Sequence, residues 1–118
     1  MGELQSIVRF RFHDGTLDEF KRLSAECLAV VRADDVGTLQ YDTYFNADES
    51  ECIVLERFRD SDALILHGQN MAPLMESIMA TGTVSGELLG DLSEALRAQM
   101  AGSPVGLFTL YQSLEGPR

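Results

Sequence analysis

The stretch Cys52-Ile53-Val54-Leu55-Glu56-Arg57-Phe58 decides the fold. Its β-branched and aromatic content reads as a strand. A strand with one buried face alternates apolar and polar residues, because successive side chains point to opposite sides of the sheet. Here Ile53, Val54 and Leu55 are apolar in succession, so apolar side chains fall on both faces. Ile7-Val8 and Leu107-Phe108 repeat the pattern. A sheet built from such strands needs cover on both sides.

Working outward, Asn46-Ala47-Asp48-Glu49-Ser50 is a turn of hairpin length. Before it, Leu39, Tyr41, Thr43 and Phe45 alternate with Gln40, Asp42 and Tyr44 as another strand. Further upstream, Phe20, Leu23, Cys27 and Val30 or Val31 recur at helical spacing. Thr16 and Glu19 form a capping-box pattern at the start of that helix. The helix is expected to run to about Ala33, with Gly37 following its stop. The chain begins with a strand from Leu4 to Phe12, closed by the turn signal Asp14-Gly15.

Downstream, Asp60 or Ser61 can cap a second helix. Gly68-Gln69-Asn70 and Pro73 predict an interruption: a short helix to His67, a break, then a segment to about Ala80. Thr83 to Leu89 reads as a strand weakened by Gly86. Asp91 is placed to cap a short third helix through Met100, which Gly102 and Pro104 end. Val105 to Leu114 reads as a last strand.

The order is βαββαβ plus a helix and a strand. That is α+β, a ferredoxin-like antiparallel sheet with helices on one face and a C-terminal appendage. Three helices cannot also cover the opposite face. A second copy of the chain is the economical cover, and twofold pairs are the commonest assemblies. The alternative is that the third helix folds over that face.

One domain spanning residues 1–118 is expected at this length. The formal charge of −10 argues against a nucleic-acid or anionic-membrane partner, since both require a basic surface. No apolar run approaches the roughly 18 residues of a membrane span, and the N-terminus lacks the basic and apolar regions of an export signal. Cys27 and Cys52 form no CxxC pair, so free thiols in the cytoplasm are expected.

The chemistry-bearing residues are few. His67 is either a base facing a cavity or a histidine interacting with carbonyls at a helix end. His13 falls in a turn. Arg9 and Arg11 share one face of the first strand and Arg57 lies on the third. They suit an anionic or phenolic ligand, or equally pair with the many surface carboxylates. Tyr41, Tyr44 and Tyr111 either line a cavity or pack as strand aromatics. Met71, Met75 and Met79 read as core. Two separated histidines give no metal-site pattern, and no phosphate loop, dinucleotide fingerprint or nucleophile elbow is present.

The run Glu51 to Leu64, followed by His67, resembles the antibiotic biosynthesis monooxygenase family, which includes quinol monooxygenases. Such members have an apolar strand ending in a glutamate and an aromatic, a polar cap, then a helix with a histidine. Gly37-Thr38-Leu39-Gln40-Tyr41 is similar to the family's second strand, and the likeness extends from about Ser6 to Leu114. The resemblance implies a homodimeric α/β barrel with a pocket between sheet and helices in each subunit. It implies oxidation of phenolic, quinol or polycyclic aromatic substrates by O₂, with neither metal nor flavin. It implies catalytic roles for His67, Tyr41 and Tyr44, and substrate contacts from Arg9, Arg57 and Phe58. Phe58 stands where many members have tryptophan, and Asn70-Met71 occupies the place of a frequent second histidine. The absence of tryptophan and of an asparagine on the first strand argues against haem degradation. The competing expectations are a non-catalytic ligand-binding or stress-related protein on the same barrel, and a different enzyme such as an isomerase or decarboxylase. An enclosed pocket holding His67 beside an inward tyrosine or arginine would favour an enzyme.

Overall fold

The structure, a computed structural model, describes residues 2–116. Its elements are β1 (Leu4–Phe12), α1 (Leu17–Asp34), β2 (Thr38–Phe45), β3 (Glu51–Phe58), α2 (Ser61–Met79), β4 (Gly82–Leu89), α3 (Glu94–Met100) and β5 (Gly106–Phe108). The sheet order is β2-β3-β1-β4-β5, with β1 to β4 antiparallel and β5 parallel to β4. The expected ferredoxin-like α+β arrangement is present. The sheet of the single chain is open rather than closed into a barrel.

Register assigns the two faces. Val8 lies opposite Val54 and Gly86, and Phe10 opposite Cys52 and Val84, all turned toward the helices. The other face carries Ile7 opposite Leu55 and Arg9 opposite Ile53. Between sheet and helices the interior forms two clusters. Phe10, Phe20, Cys27, Val54 and Met71 pack in one. Leu4, Phe58, Ala63, Leu88, Leu92 and Leu96 pack in the other. Leu96 thus places α3 on the same side as α1 and α2. The alternative that α3 covers the second sheet face is overturned, because its apolar residue has a better-shielded place beside Phe58. Ile53 and Tyr44 on the outer face stay 37% and 53% exposed.

Several local readings change. The helix α2 is continuous through Pro73, not broken after His67. It buries Ala63, His67, Met71 and Ile78 along one side, and packing of that side outweighs the hydrogen bond that proline cannot donate. Asp60 caps it by accepting from the Ala63 amide at 2.9 Å. The capping box on α1 does not form. Thr16 donates instead to the Thr81 carbonyl at 2.6 Å, joining α1 to the β4 entrance, and Glu19 pairs with Arg22. Ser93, not Asp91, caps α3. A register shift between Thr38 and Gln40 throws Leu39 out of the β2 alternation, so Tyr41 and Phe45 pack on the core cluster while Leu39 stays exposed.

Gly37 meets its helix at close range. A Cβ there would sit 2.4 Å from the Ala63 Cβ, so only glycine lets the chain pass the first turn of α2. The last strand is three residues long rather than ten. β4 ends at Leu89 and Gly90 turns away at φ 128°, leaving the backbone after Phe108 no strand to pair with in this chain. Tyr111 stands 94% exposed in that segment.

Candidate active site

A cleft of about 390 Å³ opens between the sheet and α2. Its apolar walls come from Val8, Phe10, Val54, Leu64 and Met71, and its polar residues include Tyr41, Glu56 and His67. The strand alternation that buries Val54 and Phe58 also turns Glu56 inward between them. The helical period that buries Ala63 and Met71 turns His67 inward as well.

His67 is 7% exposed and sits in mid-helix. Its Nδ1 lies 2.5 Å from Oδ2 of Asp35, the residue that follows α1. Asn70, one turn along α2, donates to Oδ1 of the same carboxylate at 2.6 Å, and Thr38 donates to Oδ2 at 3.2 Å. A carboxylate oxygen accepts, so the Nδ1–H of the ring donates to Asp35 and Nε2 is the nitrogen left for a ligand. The Phe58 and Tyr41 rings flank the imidazole, with centroids 5.2 and 5.7 Å away. Buried Phe58 holds the ring from behind; it is not part of the cleft wall.

Glu56 is the second buried acid. Burial pushes its carboxyl above the ordinary carboxylate range, while nearby His67 and a hydrogen bond from Ser6 pull it back in part. Burial, then the neighbouring Glu56 carboxyl, also raises Tyr41, which therefore serves as a neutral hydrogen-bond donor. The site combines a histidine oriented by a carboxylate with a carboxyl that favours its proton. Such a pair separates base and acid within one cavity.

The structure unites His67 and Tyr41 at the cleft and sets Phe58 behind them. The other three predicted site residues lie elsewhere. Tyr44 alternates onto the outer sheet face. Arg9 binds Glu87 at 2.6 Å and Arg57 binds Glu3 at 3.1 Å on that same face. Met71 is core, whereas Met75 and Met79 stand about two-fifths exposed along the cleft, at 42% and 41%. Both cysteines are free and buried, and burial lifts Cys52 to about 11 and raises Cys27 as well, so neither is a ready thiolate.

Sequence reading missed Asp35, Glu56 and Asn70. Two signals were available. Glu56 occupies an inward position between Val54 and Phe58 in an otherwise apolar alternation. Asp35 follows a helix C-terminus, where the dipole disfavours an acid. Among the described residues no group of three His, Cys, Asp or Glu side chains is placed to hold a metal ion. No helix among them is long and apolar enough to cross a membrane.

No curated protein matches this chain in sequence. Solved structures do match in fold. MupZ from Pseudomonas fluorescens is similar over 99% of this chain and 97% of its own, with TM-score 0.85 and 22% identity. Rv0793 from Mycobacterium tuberculosis covers 79% of this chain and 98% of its own, with TM-score 0.68 and 26% identity. SnoaB, a cofactor-independent oxygenase from Streptomyces nogalater, covers 79% and 96%, with TM-score 0.68 and 19% identity. Residues 5–72, more than half of the chain, match the antibiotic biosynthesis monooxygenase family, and they include Asp35, Tyr41, Glu56 and His67. The chain belongs to the antibiotic biosynthesis monooxygenase family.

Proposed function

We propose that the protein is a cofactor-independent monooxygenase that oxidises a phenolic, quinol or polycyclic aromatic small molecule with O₂. The observation that carries this reading is the Asp35–His67 pair on a mostly apolar cleft. His67 Nε2 takes the phenolic proton, and Asp35 stabilises the imidazolium that results. The phenolate passes one electron to O₂. The radical and superoxide combine to form a C–O bond, and Glu56 or Tyr41 donates a hydrogen bond to the oxygen that bears charge. His67 returns its proton to the peroxide. Loss of the hydrogen on the oxygenated carbon with cleavage of the O–O bond releases water and leaves a quinone, with one oxygen atom in the product and the other in water. Apolar walls keep water from the intermediate.

We also infer a homodimer in which the outer sheet faces of the two copies meet. The support is the uncovered row of Ile7, Ile53, Leu55 and Leu89, edged by Phe108. Sedimentation at micromolar concentration tests it: a dimer that Ile53→Asp dissociates supports the pairing, and a folded wild-type monomer refutes it.

Oxygen uptake with a panel of hydroquinones and anthrones tests the activity. Wild type is expected to consume O₂ with at least one class, and His67→Ala to lose roughly 10²–10⁴ in kcat. Equal rates in the two proteins would remove His67 from the chemistry. A second reading is proton transfer without O₂, as in an isomerase, and the opposition of His67 to a proton-favouring Glu56 supports it. Turnover that continues without oxygen uptake selects it. Binding without turnover selects the non-catalytic ligand-binding protein.

A further inference from the structure

A second cleft, of about 560 Å³, lies between α2, β4 and α3. It shares Val8, Leu64, Gly68, Gly86 and Val105 with the cleft that holds His67, so the two meet along that line. At the junction the helix and the sheet each present a glycine. Gly68 lies in the interior of α2, where glycine weakens a helix relative to alanine. A Cβ at Gly68 would touch nothing within 4 Å, so no clash with the protein requires glycine there. Gly68 is exposed at the mouth of the junction, and the space beside it is open. The far part of the second cleft is lined by Leu96, Gln99 and Met100 of α3, which lies beyond the matched family segment at residues 5–72.

We propose that the two clefts form one angled site for an elongated ligand. A compact ring head sits beside His67 and an apolar chain passes between Gly68 and Gly86 to lie under α3. Gly68 then sets the length of chain the protein accepts. The inference rests on the His67 cleft being the ligand site, but not on the reaction performed there. Its substrate class is an amphipathic molecule with a ring at one end and an alkyl or acyl chain at the other. Two joined cavities of a few hundred Å³ each are of the size that encloses such a molecule.

Calorimetric titration of the intact protein with 4-methylphenol and 4-octylphenol tests it. Wild type should bind the octyl compound at least about tenfold more tightly, since each buried methylene adds affinity. Gly68→Leu fills the junction, and exposed Ala72→Phe fills the second cleft alone. Each should bring the octyl-to-methyl ratio close to one, while Gly68→Ala keeps most of it. A wild-type ratio near one, no binding of either phenol, or variants that weaken both phenols by the same factor would overturn the proposal. A preserved length dependence in a protein that consumes no O₂ would sink the oxygenase reading and leave this one standing.

Discussion

The two faces of one sheet carry similar apolar residues and treat them oppositely. On the helix side, Leu4 and Phe58 are fully buried and Phe10 nearly so, and the acidic Glu56 among them is buried too. On the outer side Ile53 and Tyr44 are exposed, and the charged groups of that face pair as Arg9–Glu87 and Arg57–Glu3 in contact with water. Hydropathy cannot distinguish these faces, since Val54 and Ile53 are near-equal residues in adjacent positions. Cover distinguishes them. Under the helices a polar group loses its hydration and must find a partner or shift its titration. On the open face it keeps its hydration and gains little from its partner. The chemistry therefore collects under the helices.

That contrast can be broken most sharply at its hydrophobic root. Phe58→Ala should cost about 3–5 kcal/mol of folding stability in urea unfolding, as a fully enclosed ring is replaced by a cavity. Leu55→Ala on the outer face should cost well under half as much in the monomer. Equal losses would mean that the outer face is as well covered as the inner. The polar counterpart comes next. Asp35→Ala strips His67 and Asn70 of their shared acceptor and should cost about 2–4 kcal/mol, with the oxygen-uptake rate falling in parallel if His67 needs that orientation.

The third test is the pH dependence of Glu56. Its folded carboxyl lies above the ordinary value of 4.5, so between that value and the raised one the native state holds a proton that the unfolded chain has released. The stability it supports is full below that ordinary value and is lost as pH rises through the raised folded value. Glu56→Gln should flatten this fall in unfolding midpoints measured from pH 4 upward. A wild-type profile already as flat as the variant's would show that His67 keeps Glu56 ionised. Arg9→Ala gives the smallest effect. In the monomer, removing a pair exposed on the outer face should change stability by less than about 1 kcal/mol. A larger loss that grows with protein concentration is the outcome expected where the proposed dimer covers Arg9.

Much of the architecture was legible because period and punctuation are local. The run Leu4 to Phe12 forms the strand its alternation predicts, and the stripe Phe20, Leu23 and Cys27 is the buried side of α1. Where local rules failed, a distant partner had intervened. Proline and glycine in α2 predict a break, but packing of the helix side that carries His67 and Met71 keeps the helix continuous. Thr16 and Glu19 predict a capping box, but the Thr81 carbonyl, 65 positions away, takes the Thr16 hydroxyl. The expected long last strand needs a neighbour that the chain itself does not provide after Leu89.

The sequence by itself determined the order of elements and the two-faced sheet, since these follow from spacing along one strand or helix, while the candidacy of His67 and Tyr41 came from the resemblance to the family. Only the tertiary structure decided that His67 is a histidine with a carboxylate behind it. Asp35 and His67 are 32 residues apart, on the end of one helix and the middle of another. No periodicity links such positions, and the packing of α1 against α2 over the sheet is what brings them together. The same packing separated Arg9, Arg57 and Tyr44 from the cleft. One step of strand alternation decides which side of a sheet a residue serves, and which side is sheltered depends on where the helices lie.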